Sequence, residues 1–131
     1  MKTFFYIIFS LFAIQLSGQT IHYVNPLAQG QNNGSSWANA FASLHEGFSA
    51  AQPGDAIWVA QSIYRPTAGT DKTIRFELKS NVKMYGGFVG GESMLAERNW
   101  EVHPSIIDGD IGTLQYAETH SNLLFVGKLI K

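Results

Sequence analysis

At 131 residues, 45% apolar and 15% charged, the chain has the composition of one globular domain and not of a disordered segment. Its 9 Lys and Arg stand against 10 Asp and Glu, and no basic cluster offers the electrostatic footprint that a nucleic-acid partner needs. With no cysteine, disulfides, thiolate-bound zinc and an acyl anchor on cysteine are all excluded.

The first residues, MKTFFYIIFSLFAIQLSGQT, carry one lysine and then an apolar run from Phe4 to Leu16 that only Ser10 and Gln15 interrupt. Charge, length and the small polar flank are those of a signal peptide covering residues 1–19, with the cut in the region of Ser17, Gly18 and Gln19. The run is shorter than the roughly 20 residues that cross a bilayer, and no later segment supplies a span. Export from the cell follows, and residues 20–131 form the mature domain.

IHYV, Ile21 to Val24, alternates and stops at Asn25-Pro26, as a short strand does. The Gly-, Asn- and Ser-rich stretch after it reads as a loop, with Asn33-Gly34 its tight turn. Asn33-Gly34-Ser35 also fits a glycosylation sequon, a pattern common by chance. Ser43 and Glu46 have the spacing of a capping box, in which hydroxyl and carboxylate each satisfy a free amide at a helix start. A short helix over 43–51 is therefore expected, with Leu44, Phe48 and Ala51 on one buried face. Gln52-Pro53-Gly54-Asp55 ends it.

Beyond this point brief strands alternate with turns: AIWVA (56–60), IRFEL (74–78), VKMYGGF (82–88), SIIDG (105–109) and NLLFVG (122–127). Taken as corresponding places, Ile57, Val82, Ser105 and Asn122 are 25, 23 and 17 residues apart, and without crossover helices this spacing fits either a solenoid or an antiparallel sandwich.

The segments GSSWANAF, GDAIWVA, YGGFVGGE with RNW behind it, and IIDGDIG occur in that order between Tyr23 and Gly112. Together they resemble the N-terminal part of secreted bacterial right-handed parallel β-helix proteins of the pectin-lyase-like superfamily, many of them surface proteins of Gram-negative bacteria. The resemblance implies an all-β solenoid of a few coils, with the 43–51 helix capping its open end. It also implies secretion or display at the outer membrane or cell surface. In two places the chain departs from the family. Ser62 stands where the family has a glycine, which strains the backbone if that position needs positive φ. Family members also continue for several hundred residues, so a truncated product is expected.

The glycine loop of YGGFVGGE is not a phosphate loop, because Glu92 follows Gly90-Gly91 where a Walker sequence needs lysine. It reads instead as a corner, with Gly86 and Gly87 allowing a bend or a close approach. Asp108 and Asp110 are candidate Ca²⁺ ligands, although two carboxylates fall short of the six to eight oxygens Ca²⁺ takes, and Asp-Gly-Asp is commonly turn chemistry. Arg98 and Trp100 are candidate ligand-binding residues, as an acid-binding cation beside an aromatic face or a lyase base; the structural alternative is a stacked loop anchor. The four histidines show no metal spacing, and no serine sits in a nucleophile elbow. The expected function is a secreted or cell-surface, adhesin-like or glycan-binding scaffold with no catalytic residue and no cofactor besides the Ca²⁺ candidate. Its partner would be a polysaccharide or a host-surface glycan. The alternative is a polysaccharide lyase or glycoside hydrolase acting on acidic polysaccharide, with its catalytic coils missing or degenerate.

Overall fold

The computed structural model describes residues 18–109 and the backbone of Phe125–Val126. The strands are β1 (Ile21–Val24), β2 (Ala56–Ala60), β3 (Ser62–Tyr64), β4 (Lys83–Phe88), β5 (Ser105–Ile107) and β6 (Phe125–Val126). One helix, α1 (Leu44–Ala50), lies between β1 and β2, and a 3-10 turn covers Leu95–Glu97.

β1, β2 and β4 form one parallel sheet in that order. Its register stacks Tyr23 on Trp58 on Tyr85, and His22 on Ile57 on Met84. Because side chains alternate across a strand, these two rows face opposite sides. Toward α1 lie Val24, Ile57 and Val59, packed with Leu44, Phe48, Ala51 and Tyr64. The other face holds Trp58 and Phe88, stacked with ring centroids 4.7 Å apart, and the ring of Trp37 arriving from the loop after β1. Every residue of β2 is buried, as befits a central parallel strand covered on both faces.

α1 forms as its sequence dictates. Ser43 is the N-cap, its side chain accepting from the Glu46 N–H, while the Glu46 carboxylate accepts from the Ser43 N–H at 3.1 Å. Asn32, from the loop after β1, donates to the second oxygen of Glu46 at 2.7 Å. That bond is the main cause holding the Glu46 carboxyl below its usual range; burial opposes it, and the Ser43 bonds add to the lowering. At the other end Lys79 Nζ donates to the Ser49 and Ala51 carbonyls at 2.7 and 2.9 Å, placing a cation where the helix leaves acceptors open. The stripe of Leu44, Phe48 and Ala51 is buried as expected, but against the face of the first sheet.

The second sheet has the order β3-β5-β6, with β3 and β5 parallel and β5 and β6 antiparallel. Buried Ser105 ties the two sheets together. Its hydroxyl lies 2.9 Å from the Val59 and Ala60 carbonyls, to which it donates, and accepts from the Gly87 N–H at 3.0 Å. Tyr64 donates to the Ala60 carbonyl at 2.9 Å, and burial pushes its hydroxyl pKa up.

This architecture corrects the expectation of a right-handed parallel β-helix. The described strands make two small sheets that do not close into a solenoid, and the second ends in an antiparallel pair. The segment IRFEL does not pair with either sheet; only Phe76 in it packs toward the core. Ser62–Tyr64, not singled out as a strand, takes a place in the second sheet instead. Ser62 does not lie at positive φ, so the strain expected of a serine at that position is absent. Among the described residues no helix is long and apolar enough to cross a membrane.

Candidate functional site

The glycine corner at the end of β4 is built around a carboxylate. The two oxygens of Glu92 accept from the N–H groups of Val89, Gly90 and Gly91, the last two at 2.9 Å. Burial works to raise the Glu92 pKa, but the hydrogen bonds from Gly91, Val89 and Gly90 outweigh it and hold the carboxyl below the ordinary value of 4.5. The amides that would cradle a phosphate are thus already filled by the chain's own anion. Positive φ at Gly90, +116°, lets these N–H groups converge. Of the pair Gly86 and Gly87, only Gly87 lies at positive φ, and a Cβ on it would come within 2.7 Å of the Trp100 backbone nitrogen. The corner reading of the glycines is the one the geometry follows.

Arg98 and Trp100 come together against this corner. The Arg98 guanidinium carbon is 4.9 Å from the Trp100 ring centroid and 5.2 Å from that of Tyr85. One guanidinium nitrogen donates to the Gly86 carbonyl at 3.4 Å, and Arg98 makes no ion pair among the described residues. The Asn99 N–H donates to the Gly87 carbonyl at 2.7 Å, closing the loop onto β4. The Trp100 indole nitrogen is buried without a hydrogen-bond partner among the described residues.

Asp108 is held by Arg65, whose Nε and Nη2 lie 3.0 and 2.7 Å from the same carboxylate oxygen. Asp110 lies outside the described residues, as does Ser17 of the cleavage region; Gly18 and Gln19 are exposed. Among the described residues no three acidic or histidine side chains group as a metal site. The histidines have structural partners: His22 meets Asp55 at 3.0 Å, His45 donates to the Pro66 carbonyl at 2.8 Å, and His103 lies 2.8 Å from the Gln61 side-chain oxygen. Asp55 also accepts from the Gln52 and Thr20 N–H groups, at 2.9 and 3.2 Å. The Gln52 bond first, and His22 after it, lower its pKa. His120 is outside the described residues.

A cavity of about 280 Å³ lies between α1 and residues 75–79, a place the sequence reading did not single out. Arg75, Glu77 and Leu78 line it on one side, His45 and Phe48 on the other. Read as IRFEL, these residues look like half of a strand, and that pattern concealed them.

Comparison with known proteins finds no matching protein family, no matching curated protein and no matching solved structure.

Proposed function

We propose that this chain is an exported surface scaffold that binds glycans without chemistry of its own. The observation that supports this most is the Tyr85, Arg98 and Trp100 corner. There a guanidinium is held at two aromatic rings with no carboxylate partner among the described residues, leaving charged donors beside a surface suited to a sugar ring. The leader-like N-terminus supports export. A lyase or hydrolase would instead need a set of free carboxylates, and Asp108 is already bound to Arg65.

The test is a glycan array, followed by calorimetry, on the full mature chain, with Arg98→Ala and Arg98→Lys alongside. Retention of a defined glycan, weakened about tenfold or more by Arg98→Ala, is the expected result. Failure to retain any glycan, or retention that ignores Arg98, removes the proposal.

A further inference from the structure

The cavity beside α1 has walls that are fixed and charges that are not. Phe76 anchors one wall, its ring 4.7 Å from that of His45 and 6.2 Å from that of Phe48. Lys79 pins the same wall to the end of α1 through the Ser49 and Ala51 carbonyls. The hydrogen bond from His45 to the Pro66 carbonyl fixes the facing side. The positions that hold the cavity open are therefore all engaged.

Arg75 and Glu77 are not. Both line the same cavity, two positions apart, yet neither joins the other or any other group in an ion pair or hydrogen bond among the described residues. The lining also includes two apolar side chains, nearly buried Phe48 and Leu78, which is 73% exposed. A site with one unpaired cation, one unpaired anion and an apolar side chain at its opening is complementary to a ligand carrying both charges and an apolar group. The volume, about 280 Å³, lies just below the usual range for ligand pockets of roughly 300–1,000 Å³ and limits the occupant to one small molecule.

We propose that this cavity binds a free α-amino acid with an apolar side chain. The ligand carboxylate pairs with Arg75, which can meet it through two parallel N–H groups. Its ammonium pairs with Glu77, and its side chain covers Phe48 and Leu78. Lys79 belongs to the wall, because the carbonyls of the helix end already hold its ammonium.

The full mature chain would be titrated with L-leucine by calorimetry and by chemical-shift mapping, against leucinamide, which lacks the carboxylate, and 4-methylpentanoate, which lacks the ammonium. Arg75→Gln and Glu77→Gln are both exposed changes, and circular dichroism would confirm that each variant is folded. The expected result is saturable binding of L-leucine with shifts at His45 and Phe48, weakened about tenfold by either variant and by removal of either ligand charge. Absence of saturation at about 10 mM L-leucine, a molar excess that would fill even a millimolar site, overturns the proposal. So does binding that tolerates both variants, or equal binding of all three compounds. This site is separate from Arg98, so loss of glycan binding in Arg98→Ala leaves the result unaffected.

Discussion

At the scale of single residues, the most informative group is Glu92, which the chain uses as its own ligand for three converging amides. Glu92→Gln keeps the shape and removes the charge. It should cost about 1–2 kcal/mol at neutral pH, read as a lowered urea midpoint with unchanged slope. The pH dependence follows from the direction of its pKa. Glu92 is depressed in the folded state, so its contribution is complete above the unfolded value and disappears as pH falls through the folded one. The gap in stability between wild type and Glu92→Gln should therefore narrow as the pH is lowered from 6 toward about 3. Gly87 is the other sensitive position. Gly87→Ala would combine a positive φ of +93° with a Cβ against the Trp100 backbone, and should cost at least about 2 kcal/mol in thermal or urea unfolding. The sequence made the glycine requirement legible, because Glu92 ruled out a phosphate loop. It could not show that the carboxylate takes the phosphate's place, since that depends on where three amides point.

At the scale of elements, α1 was readable almost to the residue. Ser43, Glu46 and the stripe of Leu44, Phe48 and Ala51 are local signals, and local signals survive folding when the packing agrees with them. Ser43→Ala should cost about 1 kcal/mol. Combined with Glu46→Ala it should cost less than the sum of the two single changes, because each side chain serves the other's amide; a double-mutant cycle by urea unfolding measures this. β1 and β2 were equally plain, since Asn25-Pro26 closes the first apolar run and Pro53-Gly54-Asp55 opens the second. The stretch from Ile74 to Leu78 was not. Its apolar and charged residues alternate as in a strand, yet only Phe76 reaches the core, and Lys79 is drawn to the end of α1 instead. β3 escaped notice for the opposite reason. Three residues are too few for a periodic signal, and pairing with β5, far along the chain, is what makes Ser62–Tyr64 a strand.

At the scale of the whole molecule, the first sheet is covered by two different structures, α1 on one face and an aromatic cluster on the other. Trp58 and Phe88 form the center of that cluster. Phe88→Ala should cost about 3–5 kcal/mol, enough to abolish cooperative unfolding in a domain of this size; a calorimetric scan would show a broadened or missing transition. The spacing of short strands in the sequence allowed a solenoid, and the motif order resembled one. Whether successive strands return to one sheet or divide between two is set by long-range register, which no window of sequence contains. For the same reason the Arg98 corner was visible as three letters, while the cavity beside α1 was not visible at all.

On the proposed export, the position of Thr20 carries a consequence for maturation. Its backbone nitrogen is 3.2 Å from Asp55 Oδ1, as an ordinary amide in the unprocessed chain. If the leader is removed after Gln19, that nitrogen becomes a positively charged terminus placed on a carboxylate that already holds His22 and Gln52. A cut one residue earlier leaves it neutral. The chain beginning at Thr20 should then be the more stable of the two by about 1 kcal/mol at neutral pH, with the advantage lost in Asp55→Asn and reduced by salt. One peptide bond more or less at the new terminus would decide whether the first strand is fastened by charge.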